Sequence, residues 1–469
     1  MNYKAMEQKK APAGSGNSKF KMNRKNSARR VALQILKDVN QDARFANISL
    51  KENMRNHPLD ARDTAFVSRL VYGTLEKQIT IDLILDKLAN MKKLNFWVRN
   101  ILRMGAYQIL YMDKVPDSAA CNEAVKLCRA YGFSGLQGFV NGTLRNLSRN
   151  KDELLKPEES LPIDEKLSFK YGFPQWLTEK WLVDYGPDTT EAIMKPMDED
   201  GGVSIRVNVN KISPASLKKK LQESGMKVQG GFHMEEALRI SAMGDLEKNS
   251  LYKEGLFTVQ GESSMLDTYI TDPKPGELIL DACSSPGGKA THMAERMLGK
   301  GQIMAWDIHA HRLDLINRNI RRMRAKIIEP MLMDAAVFHS QFKEKFDRVL
   351  VDVPCSGLGT INNKPDIKLK ITPKALKKLP ALQRKILDVC CEYVKPGGVL
   401  VYSTCTLNLE ENQNLIWDFL ECHQQFKLED PSPFVPDNLK DAVKDSMIQL
   451  IPSLHQMDGF FISRMRRLS

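Results

Sequence analysis

The chain has 469 residues, of which 42% are hydrophobic, and a net charge of +12 that favours a polyanionic partner. The length allows two to four domains. No apolar run approaches the about 20 residues that cross a bilayer, and the first ten residues lack the apolar core of a secretory signal. We therefore expect a cytoplasmic protein. Eight cysteines without regular spacing or a C-x-x-C pair argue against a disulfide framework and fit a reducing compartment, and we expect no metal.

The first 26 residues are basic and contain little that a core would bury. Lys9, Lys10, Lys19 and Lys21 lie among Gly, Ser, Asn and Pro, so we expect residues 1–26 to be disordered until a partner binds. Basic residues cluster three more times along the chain. One cluster alone is usually a solvated helix face, but their repetition favours phosphate contacts. The clusters are Lys218–Lys220, Arg318–Arg324 and Arg464–Arg467.

Apolar residues recur at helical spacing throughout residues 27–150. Each stripe is typical of a helix packed in a bundle, and no strand-like alternation intervenes. We therefore predict a separate all-α helical bundle over this range. The stripes are Val31, Ile35, Leu36 and Val39; Phe66, Val67, Leu70 and Val71; Ile81, Ile84, Leu85 and Leu88; Ile101, Leu102, Ile109 and Leu110; and Leu136, Phe139, Val140, Leu144 and Leu147.

Residues 151–272 combine strand and helix patterns. Val203–Asn210 alternates like a strand, whereas Ser213–Ser224 has Pro214 near its start and Leu217 and Leu221 on one helix face. We predict linker helices and a small α+β subdomain in this range.

The last predicted domain, residues 273–469, begins with a strand and a glycine-rich turn. Leu278–Asp281 is typical of a buried strand, and Ala290, Met293 and Met297 follow the turn at helical spacing. This plan suits a nucleoside ligand, because glycine lets the ligand approach the backbone and the helix amino end offers free N–H groups. The turn lacks the spacing of a dinucleotide fold or a phosphate loop. The candidate cofactor residues are Cys283, Ser284, Ser285, Pro286, Gly287, Gly288 and Lys289.

Three aspartates end successive apolar runs. Asp307 lies about twenty residues beyond the glycines, where an acidic residue commonly accepts hydrogen bonds from ribose hydroxyls. Asp334 ends the next run and is placed to flank an adenine, and Asp352 ends the third. One such aspartate is often a turn or helix cap, but three in succession favour a cofactor site.

Two cysteines follow further strand-like runs. Cys355 comes soon after Val349–Val351, and Cys405 comes soon after Val399–Val401. Because doubly wound folds hold ligands at the carboxyl ends of parallel strands, we predict an α/β doubly wound, Rossmann-like domain with both thiols and Asp352 facing one cleft. Either cysteine alone is more simply a buried space-filling residue. Their pairing with the glycine turn favours covalent catalysis by a thiolate.

Several motifs together carry a family resemblance. DACSSPGGK, DVPCSG and YSTCT, with the terminal Asp458–Phe461, resemble the signature of RNA cytosine-C5 methyltransferases that use S-adenosylmethionine. The resemblance implies that Cys405 attacks the cytosine, that Cys355 helps to release the product, and that Asp352 contacts N3 of the base. It also implies that S-adenosylmethionine binds to residues 283–289 and to Asp307, Arg312, Asp334 and Asp352.

The helical part carries a second resemblance. Val115–Val125 and Gly138–Asn141 are similar to the NusB-like domain, a helical bundle that binds RNA. Joined to the catalytic motifs, it implies a monomeric enzyme that methylates a single-stranded or loop cytosine of bacterial 16S ribosomal RNA, with the α+β subdomain also binding RNA. Transfer RNA stays open as a substrate, because the catalytic motifs do not separate the two. A non-catalytic RNA-binding assembly factor is a further alternative, which the retained cysteines and aspartates disfavour.

Three segments depart from the family pattern. Ser284–Ser285 replaces a pair of alanines, a change small enough for the cofactor still to bind. Gly261 stands where aspartate is common, and Asn362–Asn363 stands where arginines are typical. We expect the last two departures to change packing or RNA contacts locally.

Overall fold

The amino-terminal part of the chain is all-helical, as predicted. In the computed structural model, which describes residues 27–197, 202–241 and 246–469, residues 27–154 form eight α-helices and no strand. The basic leader, residues 1–26, lies outside the described residues. The helices are α1 (Ala28–Asn40), α2 (Ala46–Asn56), α3 (Ala61–Glu76), α4 (Gln78–Leu88), α5 (Phe96–Tyr111), α6 (Asp117–Ala130), α7 (Gln137–Arg149) and α8 (Lys151–Leu154).

The central helix of this bundle is α5, which buries residues on nearly all of its faces. The helices around it bury mainly one apolar stripe each, as an amphipathic helix does at the edge of a core. Side chains cap two of the helix starts. Asp60 accepts from the N–H of Asp63 at 2.7 Å, and Asn95 accepts from the N–H of Trp97 at 2.9 Å. Phe169, beyond the bundle helices in sequence, also packs into this core.

Two linker helices, α9 (Ile163–Tyr171) and α10 (Gln175–Met194), connect the bundle to the rest of the protein. The indole of Trp181 in α10 is fully buried, and its Nε1 donates to the carbonyl of Leu407 at 2.9 Å. Because Leu407 follows Cys405 by two residues, this linker contacts the segment that carries a predicted catalytic thiol.

Within the described ranges, no helix is long and apolar enough to cross a membrane.

The predicted α+β subdomain is a four-stranded antiparallel sheet in the order β2-β3-β1-β4. Leu217 and Leu221 of the predicted helix pack on Ile205, Val207 and other apolar residues of the sheet, so the helix covers one face. The elements are β1 (Val203–Val207), α11 (Pro214–Glu223), β2 (Lys227–Gly230), β3 (Ala237–Ser241), α12 (Ser250–Lys253) and β4 (Phe257–Val259).

The carboxy-terminal domain is built on a nine-stranded mixed sheet, with helices between the strands. The strand order is β11-β12-β13-β9-β8-β5-β6-β7, and β10 pairs with β13. The elements are α13 (Glu262–Thr271), β5 (Leu278–Asp281), α14 (Gly288–Arg296), β6 (Gln302–Asp307), α15 (Ala310–Met323), β7 (Ile328–Leu332), β8 (Phe346–Asp352), α16 (Ile367–Lys370), α17 (Pro373–Leu376), α18 (Leu379–Cys391), β9 (Val394–Thr404), α19 (Gln413–Cys422), β10 (Phe426–Leu428), β11 (Val443–Lys444), β12 (Met447–Leu450), α20 (Pro452–His455) and β13 (Phe460–Arg467).

The strands β5 to β9 are parallel, which confirms the predicted doubly wound arrangement. The chain moves outward from β5 to β6 and β7, then returns to place β8 on the other side of β5. Such a reversal opens a ligand crevice at the carboxyl ends of the strands. The register pairs Asp281 with Leu350 and Asp352 with Ser403, so the glycine turn and both cysteine loops leave the same edge.

A short segment after the first cysteine loop fastens this domain to the helical bundle. Asp366 accepts from the N–H of Ala46 at 3.3 Å, and Lys370 Nζ donates to the carbonyl of Arg44 at 2.7 Å. Lys368 lies between these two residues in sequence and is almost fully buried. We call Pro365–Lys370 the docking segment.

Candidate active site

The glycine turn forms the wall of the crevice between β5 and α14. The N–H of Ser284 donates to the carbonyl of Trp306 at 2.8 Å, and the N–H of Gly287 donates to the carbonyl of Ser284 at 2.7 Å. Gly287 has φ 92°, a left-handed conformation that favours glycine, directly before the first residue of α14. The turn therefore brings Cys283–Lys289 to the ligand crevice with the amino end of α14 beside it.

Lys289 lies between two carboxylates rather than alone at the turn. Its Nζ is 3.0 Å from Asp267 Oδ2 and makes a closer contact with Asp352 Oδ2. Burial alone would lower the pKa of Lys289, but the two carboxylates outweigh it and raise that pKa above the ordinary value. Burial raises the pKa of Asp267 to about 6, and Ser403 Oγ donates to its Oδ2 at 2.8 Å. Lys289 is therefore a buried cation that holds Asp352 in place.

The two predicted catalytic thiols are adjacent. The Sγ atoms of Cys355 and Cys405 lie 3.1 Å apart, and each side chain is partly exposed. The hydrogen bond from Cys355 lowers the pKa of Cys405, whereas this same contact, with burial, raises the pKa of Cys355 well above its ordinary value. Cys405 is therefore the thiol that ionises more readily of the two.

Of the remaining predicted cofactor residues, Asp307 and Asp334 lie at the carboxyl ends of β6 and β7, and Arg312 lies in the first turn of α15. Asp307 Oδ1 accepts from the N–H of His309 at 2.8 Å, and Asp334 Oδ1 accepts from the N–H of Ala336 at 2.9 Å. Each aspartate thus fixes its own turn with one oxygen and has a second oxygen outside that bond. Arg312 Nη1 is 3.9 Å from Asp307 Oδ2, and the guanidinium is half-exposed.

The predicted phosphate contact at Arg464–Arg467 is wrong for Arg464, which is buried, and the guanidinium groups of Arg466 and Arg467 are engaged by carboxylates of the protein. Arg464 is buried and donates to Glu429 at 2.9 Å, and Arg466 donates to the same carboxylate at 2.8 Å. Arg467 forms an ion pair with Glu344. The arginines on this strand were indistinguishable in sequence from exposed ones, since their acidic partners are distant in the chain.

Part of the cluster Arg318–Arg324 is also used inside the protein. Arg322 donates to the carbonyl of Phe257 at 2.7 Å and to Thr258 Oγ1 at 2.9 Å, so it joins α15 to the small sheet. Arg318 and Arg324 remain exposed.

The sequence analysis missed two buried carboxylates of the site. Asp267 lies in α13, which carries none of the recognised motifs, yet it contacts Lys289. Glu411 follows the second cysteine by six residues and contacts the loop of the first through Ser356. A search for acidic residues within a few positions of each motif cysteine would have found Glu411 but not Asp267.

Of the departures from the family pattern, Asn363 makes a side-chain contact, whereas Gly261 lies where a side chain would fit. A Cβ at Gly261 would have Asp458 Oδ2 as its nearest neighbour at 3.7 Å, so the position has room for a side chain. Glu262 accepts from three successive backbone N–H groups, those of residues 232–234, at 2.7 to 2.9 Å. Asn363 Nδ2 donates to Asp458 Oδ1 at 2.8 Å, which links Asn363 to a residue two positions before the start of β13.

Three family models match successive parts of the chain. Residues 26–149 match the NusB family, residues 173–247 match a ferredoxin-like domain of RsmF/B-like methyltransferases, and residues 268–466 match the 16S rRNA methyltransferase RsmB/F family. A relative from Bacillus subtilis (strain 168), named as a probable ribosomal RNA small subunit methyltransferase B, is 35% identical over 447 residues. That alignment covers 95% of this chain and 99% of the relative.

The chain belongs to the family of ribosomal RNA small subunit methyltransferases B. The resemblance that the motifs and the helical bundle indicated is therefore confirmed, and the chain is an S-adenosylmethionine-dependent RNA methyltransferase.

Solved structures agree with this assignment at the level of the fold. The crystal structure of PH0851 superposes with a TM-score of 0.80 at 26% identity, covering 94% of this chain and 98% of that one. NSun6 from Pyrococcus horikoshii, solved with SFG, has a TM-score of 0.56 at 23% identity and covers 63% of this chain and 99% of its own. The family matches and the solved structures confirm the predicted succession of helical bundle, α+β subdomain and Rossmann-like domain in this chain.

Proposed function

We propose that the chain methylates C5 of a cytosine in 16S ribosomal RNA through a covalent bond between Cys405 and C6 of that base. The observation that carries this proposal is the 3.1 Å separation of the Cys355 and Cys405 sulfurs at the sheet edge that also holds the glycine turn. A protein that only binds RNA has no need for two adjacent thiols beside a cofactor crevice.

The chemistry of cytosine explains why a thiolate is needed. C5 is a poor nucleophile. Addition of the Cys405 sulfur at C6 places electron density on C5. C5 then takes the methyl group, the C5 proton leaves to a base, and the C6–S bond breaks to expel the thiolate. S-adenosylmethionine, when bound, supplies the electrophilic methyl group. The lowered pKa of Cys405, caused first by its hydrogen bond from Cys355, favours Cys405 as the attacking sulfur.

The neighbouring residues take supporting roles. Asp352, which Lys289 holds in a fixed position, accepts a hydrogen bond from N3 of the base once N3 has taken up a proton, and that proton neutralises the charge that develops during addition. Cys355 keeps its proton, owing to its contact with Cys405 and to burial, and lies beside the sulfur that must leave. We assign it to product release.

The residues of the crevice fit S-adenosylmethionine by their donors and acceptors. The amino end of α14 offers backbone N–H groups, and the second oxygens of Asp307 and Asp334 suit hydroxyl and amino groups. We assign cofactor binding to these two aspartates, to Arg312 and Asp352, and to the glycine turn, residues Cys283–Lys289.

Trapping the covalent adduct tests the roles of the two cysteines. In the presence of S-adenosylmethionine, the Cys355→Ala variant accumulates a protein–RNA adduct that survives a denaturing gel, because release is slowed after methyl transfer. Cys405→Ala binds RNA but forms neither adduct nor 5-methylcytosine, and Cys422→Ala, at an exposed cysteine, behaves as wild type. An adduct that disappears only when Cys355 is removed would reverse the two roles.

The choice of 16S RNA rests on the helical bundle and on the family of small-subunit RNA methyltransferases. Bisulfite sequencing of RNA from a strain lacking the gene tests it directly. We expect one protected cytosine to be lost from 16S RNA while the transfer RNA signals stay. Loss confined to transfer RNA would contradict the proposal.

A further inference from the structure

Both cysteine loops are fastened to one buried turn that the mechanism above leaves unused. This turn runs from Leu409 to Glu411 and leads into α19. Glu411 and Asn412 are both fully buried. Burying a carboxylate is costly unless it is hydrogen-bonded or paired, so its retention here calls for an explanation.

Glu411 holds the loop of Cys355. Its Oε2 accepts from the N–H of Ser356 at 3.0 Å and from Gln383 Nε2 at 2.7 Å. Its Oε1 accepts from Asn408 Nδ2 at 3.0 Å and from the hydroxyl of Ser356. Four neutral donors thus converge on one carboxylate, and two of them belong to the residue that follows Cys355.

The other side of the same loop is held through Gln383. Its Nε2 donates to the carbonyl of Pro354 at 3.0 Å as well as to Glu411. Both peptide neighbours of Cys355 are therefore connected, directly or through one amide, to the carboxylate of Glu411.

The next residue along the chain, Asn412, holds the loop of Cys405. Its Nδ2 donates to the carbonyl of Thr406 at 3.0 Å, and its Oδ1 accepts from Thr404 Oγ1 at 2.6 Å. The hydroxyls of Ser356 and Thr406 are also in hydrogen-bond contact. Two consecutive side chains thus bind the two loops, and the peptide unit between them joins the two sets of hydrogen bonds.

We propose that Glu411 is a positioning residue that sets the separation of the two thiols and thereby the rates of adduct formation and release. The inference rests on the proposed roles of Cys355 and Cys405. A carboxylate is required because a glutamine offers a single acceptor oxygen and would turn an NH2 group towards converging donors. Glu411 does not act as the base of the reaction, since both of its oxygens are occupied within the protein.

The test pairs Glu411→Gln with Glu410→Gln, a control at the adjacent and exposed position. For Glu411→Gln we expect kcat to fall about 100-fold, as a displacement of about 1 Å can cause, with the KM for S-adenosylmethionine within about threefold of wild type. Glu410→Gln keeps wild-type kcat. Active-site titration measures the fraction of active molecules. If Glu411→Gln only lowered that fraction and left the kcat of the active molecules unchanged, the loss would be one of folding and would contradict a positioning role.

A second measurement reports the thiol separation without requiring catalysis. The reagent diamide takes two electrons and two protons from neighbouring thiols, which join as a disulfide while diamide becomes the hydrazine. We expect the Cys355–Cys405 disulfide, detected by peptide mass spectrometry, to form at least about tenfold more slowly in Glu411→Gln than in wild type or Glu410→Gln. This result can be obtained even if the enzyme methylated a different RNA, so it separates failure of the inference from failure of the proposed function.

The variant Ser356→Ala covers the case in which Glu411→Gln does not fold. It removes the hydroxyl that joins Glu411 to Thr406 and leaves the carboxylate in place. We expect intermediate losses of kcat and of the disulfide rate. Wild-type kcat and wild-type disulfide rates in folded Glu411→Gln, or in folded Ser356→Ala, would overturn the proposal.

Discussion

At the scale of single residues, Lys289 belongs to a cofactor motif and also pairs with two carboxylates of the protein. The sequence placed it in a glycine turn and predicted a contact with the cofactor, which remains a prediction. The structure adds that its ammonium group joins Asp352 to Asp267. Asp267 was missed because ion pairing depends on distance in space, and its helix is separated in sequence from every motif residue.

Replacing Lys289 by methionine removes the cation from this buried cluster. Asp267 is then left buried without its partner, so we expect the free energy of unfolding to fall by about 3 kcal/mol in urea titrations. Methylation activity falls with it, because Asp352 loses the group that holds it.

The exposed Lys300→Met serves as the control for this loss. The double variant Lys289→Met/Asp267→Asn should recover most of the stability but not the activity, since it removes the unpaired carboxylate without restoring the hold on Asp352. A single variant as stable as wild type would contradict the assigned role of the lysine.

At the scale of elements, the docking segment couples the catalytic domain to the helical bundle. Lys368 lies 4.2 Å from the ring centroid of Phe173 and donates to the carbonyl of Tyr171 at 3.5 Å. Burial lowers the pKa of Lys368 to about 7. Between pH 7 and about 10.5 the unfolded chain therefore binds a proton that the folded protein lacks, and stability increases with pH in that window.

Lys368→Met removes this titration. We expect the variant to be more stable than wild type at pH 7 and the difference to shrink towards pH 10, because wild type gains stability over that range. Urea unfolding at successive pH values measures the difference, with the exposed Lys374→Met as control. If the free energies of unfolding of wild type and Lys368→Met change with pH in parallel, the lysine stays protonated in the folded protein and the prediction is contradicted.

The elements themselves were largely predictable, whereas their mutual contacts were not. Periodicity marked the bundle helices and the strand before the glycine turn, because burial of one face imposes a repeat on the sequence. The turn that carries Glu411 has no repeat, and its role depends on a loop that lies fifty-five positions earlier in the chain. Ion pairs of β13 with Glu429 and Glu344 were hidden for the same reason.

At the scale of the whole molecule, the net charge of +12 predicts binding to RNA but not where it binds. Arg464 is buried, and Arg466 and Arg467 pair with carboxylates of the protein. The leader, residues 1–26, the cluster Lys218–Lys220 and the exposed Arg318 and Arg324 remain predicted RNA contacts. Replacing Lys9, Lys10, Lys19 and Lys21 by glutamine should flatten the slope of log affinity against log salt by about 2 or more, at about 0.7 for each lost phosphate contact.

Arg466→Met is the matched control for the leader variant, because Arg466 already pairs with Glu429. Its salt slope should equal that of wild type. An unchanged slope in the leader variant, or a flattened slope in Arg466→Met, would show that these two segments have been assigned the wrong way round.

The measurement that bears most directly on the mechanism is the site at which the enzyme becomes attached to RNA containing 5-fluorocytidine. Fluorine at C5 cannot leave as the proton does, so the enzyme stops after methyl transfer with sulfur still bonded to C6. Digestion and mass spectrometry then identify the modified peptide. We predict that the nucleotide is found on Cys405 of the wild-type protein. Attachment at Cys355, or turnover of normal RNA without any attachment to the fluorinated RNA, would contradict the account.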